Sequence, residues 1–245
     1  MVGASSKSIV SGHPNSGIPS SEESNAFTRK ITEDTISVEY LFPPKFEQQI
    51  VRSTLEIPKR KYVTETENED MYHNQINNAV KDPFVSQDIA DTFIPTYPVE
   101  EVRKITNFVQ FIEYKRDAKS TDSMNYSRHP VETLVDNVGD CKDKSILLYS
   151  LLKQRGYTVG YVIYPQHIAP IIARSEVEDS IPENIESVVQ DDTDDYIVLE
   201  STHTMPLGKS EYNAENIIYS YTEKNGFTTH NIQAITKQIK RMVEV

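Results

Sequence analysis

A chain of 245 residues with 37% hydrophobic and 25% charged residues has material for one large core, or for one domain with an added subdomain. Its 37 acids against 25 lysines and arginines leave a net charge of −12, which argues against nucleic acid or an anionic membrane surface as the main partner. One cysteine excludes an internal disulfide, no apolar run reaches the roughly 18 residues that span a bilayer, and no signal-peptide core follows the first methionine, so a cytoplasmic location is the default expectation.

Residues 1–34 are rich in Ser, Gly, Pro, Asn and charge, and they read as a disordered arm. Ile36, Val38 and Tyr40 then alternate with polar residues, which predicts a strand ended by Pro43 and Pro44. A second strand is expected over 49–57, stopped by Pro58. Residues 64–83 are polar and acidic, a surface helix or loop, and Phe84 to Phe93 has helical spacing. Val102, Ile105, Phe108, Val109 and Ile112 mark an amphipathic helix over 99–114. The stretch 115–138 shows little periodicity and reads as a long connection, a kind of segment that usually carries function or mobility.

Next comes the segment around the lone cysteine. Gly139 gives a flexible entry, Asp140 is a good N-cap, and Ile146, Leu147, Leu148, Leu151 and Leu152 give a helix an apolar face that Gly156 stops. A thiol in the first turn meets unpaired N–H groups and the positive end of the helix dipole, so thiolate is expected to be favoured. The alternative is a small buried cysteine without chemistry. Beyond it, 159–164 reads as a strand and His167 opens another to Ala173, with Pro170 implying an edge strand or a bulge. Residues 175–195 hold nine acids and no Lys or Arg. Within them, Asp191 to Asp195 is either a solvated acidic turn or a site for a hard cation such as Ca²⁺, without the full spacing of a known loop. Tyr196 to Glu200 is a strand, 217–221 and 226–230 form a hairpin through Asn225-Gly226, and 231–245 forms a helix with Ile232, Ile235, Ile239 and Met242 on one face.

A cysteine nucleophile needs a base, and the base needs an orienting acceptor. The order here is cysteine on a helix, His167 at the start of a strand, Glu200 at the end of another; spacing leaves open whether they meet, and His167 and Glu200 each have a plain structural reading beside the catalytic one. His203 lies near enough to Glu200 to be a backup base, and His73 and His129 read as surface or loop residues.

The segment Pro130-Val-Glu-Thr-Leu134, then Gly139-Asp-Cys-Lys-Asp-Lys144, then His167 after the following strand and Glu200-Ser-Thr202, resembles the microbial transglutaminase-like domains of the papain-like cysteine peptidase superfamily. The resemblance spans about Val99 to Gly208. It implies an α+β, papain-like fold with the cysteine helix on an antiparallel sheet. The chain then divides into the arm 1–34, an extension of strands and helix over 35–98, and the core over 99–245 with its C-terminal helix. It also implies a triad in which Cys141 attacks an amide carbonyl, His167 takes its proton and Glu200 holds the imidazole. The oxyanion would be met by the Cys141 N–H and by a donor from the upstream loop, with Tyr126 the candidate, Arg128 behind it and Asp143 in support.

Lys142 stands where an acid is frequent in that family, and no aromatic follows His167. The second departure favours hydrolysis of a protein or peptide substrate over transfer to an amine. Cross-linking acyl transfer remains the alternative, as does a module that keeps the fold without turnover. No cofactor or metal is expected, and the arm or C-terminal helix offers a route into a larger assembly.

Overall fold

Alternation of apolar and polar residues from Phe27 onward builds a four-stranded sheet in a computed structural model of the chain, which describes residues 22–23, 26–42, 51–62, 98–120, 126–178, 181 and 184–230. Strands β1 (Glu22–Glu23), β2 (Phe27–Ile31), β3 (Thr35–Phe42) and β4 (Val51–Pro58) pair antiparallel in chain order. Period two sends Phe27, Ile36, Val38, Tyr40, Leu55 and Ile57 into the core. Regular structure thus begins inside the stretch that composition reads as an arm. What orders β2 is remote in sequence: Phe27 packs on Tyr40, and Arg29 donates from Nη1 to the Val135 carbonyl at 2.8 Å. A window of local composition carries no trace of such partners.

Helix α1 (Pro98–Phe111) buries Val102, Ile105, Phe108 and Val109, and the Phe108 ring meets Tyr40 edge-on at 5.0 Å. It ends earlier than its periodicity predicts, because Glu113–Tyr114 (β5) instead pairs in parallel with Val138–Gly139 (β6). The expected unstructured connection also holds two short helices, α2 (Asp117–Ser120) and α3 (Pro130–Asp136). Helix α3 starts by rule, with His129 capping the Val131 N–H and Pro130 at its first position, and it buries Val131, Leu134 and Val135. Seven residues are too few for a 3.6 period to stand out, so the pattern was illegible.

Helix α4 (Cys141–Gln154) follows at once, and Gly156 takes the left-handed φ of 88° that its C-terminal position favours. It lies on an antiparallel six-stranded sheet of β7 (Val159–Tyr164), β8 (His167–Ala173), β9 (Val189–Gln190), β10 (Asp195–Val198), β11 (Tyr219–Thr222) and β12 (Gly226–Thr229). The strand order is β12-β11-β7-β8-β10-β9. Ile168, Ile172, Ile197 and Leu199 face the helix core, while Val162, Tyr164, Ala169, Ile171, Tyr196 and Val198 bury the opposite face.

Strand β8 is central, not an edge, and this corrects the reading of Pro170. Its ladder to β7 is complete in register, with Tyr161 opposite Pro170. On the β10 side the Pro170 carbonyl accepts from Leu199 N–H at 2.8 Å, but proline has no N–H to return. Pairing with β10 therefore stops at Val198 opposite Ile171, and the chain is released from the ladder just before Glu200.

The terminal hairpin forms as expected, turning at Gly226 with φ 62°. The helices expected over 84–93 and 231–245, the polar stretch 64–83, and the first 21 residues of the arm lie outside the described residues. Among the described residues, no helix is long and apolar enough to cross a membrane.

Candidate active site

The start of α4 is fixed by a reciprocal capping box. The Asp140 carboxylate accepts from the N–H groups of Lys142 and Asp143 at 2.8 and 3.2 Å, and Asp143 accepts from the Asp140 N–H at 3.1 Å. The cap takes up the second and third N–H groups and not that of Cys141 itself. Two contacts then pin this helix to β8. The sulfur of Cys141 receives a hydrogen bond from the backbone of Ile168, and one turn on, Ser145 Oγ donates to the Ile168 carbonyl at 2.9 Å. The thiol thus sits at the backbone next to His167.

Burial pushes the Cys141 thiol up, to about 12, with Asp140 and Asp143 adding to the effect. The Ile168 hydrogen bond and the Lys142 charge pull the other way without prevailing. This runs against the expectation of a favoured thiolate: desolvation and two flanking carboxylates raise the thiol by more than the Ile168 hydrogen bond and Lys142 lower it.

His167 and Glu200 do meet. His167 Nε2 lies 3.2 Å from Glu200 Oε2, with both side chains almost fully buried. Thr202 donates to Oε1 of the same carboxylate from its N–H at 2.9 Å and from its hydroxyl at 2.6 Å. Burial by itself would raise this carboxyl; the hydrogen bonds from His167 and Thr202 hold it down at about 2. An ionised carboxylate only accepts, so the proton of a neutral His167 stands on Nε2 and leaves Nδ1 free as the basic nitrogen. His203, the candidate backup base, bonds Thr202 Oγ1 through Nδ1 and points Nε2 toward Glu211 at 3.6 Å.

Behind the acid stands Lys144, a residue of the cysteine motif to which the sequence alone assigned no role. Lys144 is completely buried, and its ammonium donates to the carbonyls of Ile112 at 2.6 Å, Gln110 at 3.2 Å and Thr202 at 3.4 Å. Burial draws its pKa down to about 7, opposed by Glu200. Gln110 completes the brace by donating from Nε2 to the carbonyls of Glu200 and Met205. The apolar helix face conceals this role, because a lysine among leucines reads as a surface position.

The upstream loop supports the helix start. Asp143 accepts from the Arg128 N–H at 2.8 Å and from its guanidinium at 3.2 Å, joining loop to helix. Arg128 also lies 3.7 Å from Asp117 and from Asp136. Tyr126 donates its hydroxyl to Glu132 at 2.8 Å, so that proton is already committed within the loop network. Carboxylate oxygens of Asp117, Asp140 and Asp143 fall within 4.8 Å of one another, a spacing a cation could use. Lys142 Nζ, 3.3 Å from Asp117, and Arg128 bring two positive charges into that group.

The acidic turn is organised by its own chain. Asp191 accepts from the N–H groups of Thr193 and Asp194 and from the hydroxyls of Thr193 and Tyr196, which holds its carboxyl far down. Asp194 accepts from the Ser175 hydroxyl.

No family model matches the chain, and no curated protein does. Solved structures of Legionella pneumophila LapG align with it, one at 18% identity over 70% of this chain and 85% of that one, with a TM-score of 0.38. An EGTA-treated form aligns at 16% identity over 70% and 86% with a TM-score of 0.35, and a calcium-bound form at 18% over 70% and 87% with a TM-score of 0.33. A likeness so distant assigns this chain neither a family nor an activity.

Proposed function

We propose that this chain is a thiol-dependent hydrolase with a transglutaminase-like, papain-like core, cleaving protein or peptide amides through an acyl-enzyme on Cys141, His167 and Glu200. The observation that carries the reading is the buried His167–Glu200 pair, 3.2 Å apart, with the Cys141 sulfur at a helix N-terminus and hydrogen-bonded to the backbone of Ile168, the residue after His167.

The thiol rests neutral, so His167 Nδ1 takes its proton as sulfur attacks the substrate carbonyl. The C–S bond forms as the carbonyl π pair moves to oxygen, where the N–H of Cys141, outside the cap, is the local donor. Glu200, ionised and locked by Thr202, stabilises the imidazolium and fixes its tautomer. Collapse expels the amine, which leaves with the proton held by His167. Water then gives a proton to His167 and attacks the thioester, releasing the carboxylic acid and the thiol.

The test is mass spectrometry of a proteome-derived peptide mixture, with and without a small primary amine, against Cys141→Ala. New peptide termini that need Cys141 support hydrolysis. Amine-modified glutamines in place of new termini would establish acyl transfer, and neither product would leave the non-catalytic module.

A further inference from the structure

The imidazole of His167 is covered by a residue from far along the chain. The Tyr212 ring stacks on it with centroids 4.1 Å apart and planes 9° from parallel. Tyr164, fully buried, backs both rings, 5.1 Å from Tyr212 and 6.1 Å from His167. Tyr212 itself is 37% exposed while His167 is 6% exposed, so the tyrosine is the layer between the imidazole and solvent. Its loop is anchored on the strand that leads to the acid, with Gly208 N–H donating to the Val198 carbonyl at 2.9 Å, and Tyr212 N–H donating to Ser210 Oγ at 3.1 Å. Both Glu200 and Cys141 lie close enough to raise the pKa of the phenol, after its burial.

We propose that Tyr212 is a positioning residue for His167: its ring clamps the imidazole face, holds Nε2 on Glu200 and keeps water from that bond. The physical need is specific. Rotation of an imidazole about its last torsion is broad and roughly two-fold, so a single carboxylate partner leaves the ring able to rock. A flat wall at van der Waals distance removes that freedom, and a drier surround strengthens the charge-assisted bond. No aromatic follows His167 in sequence, and Tyr212 supplies the ring from elsewhere.

The inference deepens the hydrolase reading and rests on it for its catalytic consequence, but it has a readout independent of turnover. Tyr212→Phe keeps the stacking ring and loses the hydroxyl; Tyr212→Leu loses the ring. Long-range proton–nitrogen NMR of His167 in the full chain is expected to show the proton fixed on Nε2 in the wild type and in Tyr212→Phe, and averaged between the two nitrogens in Tyr212→Leu. In peptide cleavage, Tyr212→Leu lowers kcat by about 10- to 100-fold with KM within a few-fold, and Tyr212→Phe stays near wild type. Thermal melts confirm folding, with Tyr212→Met replacing a leucine variant that does not fold. A fixed Nε2 proton in the variant lacking the ring, or a phenylalanine variant as impaired as the leucine one, would overturn the proposal. A wild type that cleaves nothing sinks the hydrolase reading instead, and leaves the NMR result to decide this one.

Discussion

Glu132 and Glu200 are both glutamates buried to within a few per cent, yet their surroundings shift them in opposite directions from the ordinary carboxylate range. Glu132 is pushed up to about 8, first by burial and then by Asp136, with one hydrogen bond from Tyr126 opposing. Glu200 is held at about 2, because His167 and the N–H and hydroxyl of Thr202 converge on it. Burial is common to the two and cannot be the cause of the difference. Neighbouring charge and the number of donors decide it: the Asp136 carboxylate works against ionisation of Glu132, whereas donors from His167 and Thr202 converge on Glu200 and favour its charged form.

The sharpest way to break that contrast is kinetic. Glu200→Gln is expected to lower kcat by about 10²- to 10⁴-fold, since an amide donates where His167 needs an acceptor. Cys141→Ala abolishes cleavage, and Glu132→Gln, which keeps an oxygen for Tyr126, stays within a few-fold of wild type. Comparable losses for both glutamine variants would show that the two carboxyls are not functionally distinct.

Stability against pH reads the same contrast without substrate. Glu132, raised from 4.5 to about 8, takes up protons on folding across that window, so its contribution is full below about pH 4.5 and is lost as pH rises to 8. Glu200, depressed from 4.5 to about 2, contributes fully above about pH 4.5 and loses that as pH falls to 2. Thermal melts across pH should show Glu132→Gln flattening the decline between 4.5 and 8, and Glu200→Gln flattening the acid limb. An unchanged profile in either variant removes its carboxyl from the account.

Lys144→Met probes the brace behind the acid. The thioether fills the volume but leaves the carbonyls of Ile112, Gln110 and Thr202 short of a donor, a loss of about 1–3 kcal/mol in denaturant unfolding. A neutral outcome would mean the buried charge costs as much as its bonds return.

The smallest expected effect is at Asp140. Asn caps a helix as well as Asp, so Asp140→Asn removes a negative charge beside the thiol and little else. Iodoacetamide labelling of Cys141 should begin at lower pH than in wild type, read by mass mapping, because that charge is the second cause of the raised thiol pKa.

Much of this arrangement was legible beforehand where one local rule governs. Asp140, Cys141 and Gly156 announced a capped helix, and Asn225-Gly226 announced a hairpin, because caps and turns are decided by neighbouring residues. Tertiary partners set the rest. A proline predicted to mark an edge strand or a bulge lies in a central strand, since the N–H that Pro170 lacks falls opposite Leu199, where the ladder ends. The thiol expected to ionise is raised, because its desolvation depends on what packs over it. Lys144 reaches the Thr202 carbonyl behind the acid, and Tyr212 reaches the imidazole, each from another element, and no spacing along the chain encodes such contacts. The sequence by itself determined the helix, the turns and the residue types of the candidate triad. Only the folded chain decided the surroundings of the Cys141 thiol and the Glu200 carboxyl, since these depend on the donors and low-dielectric walls that distant segments bring together.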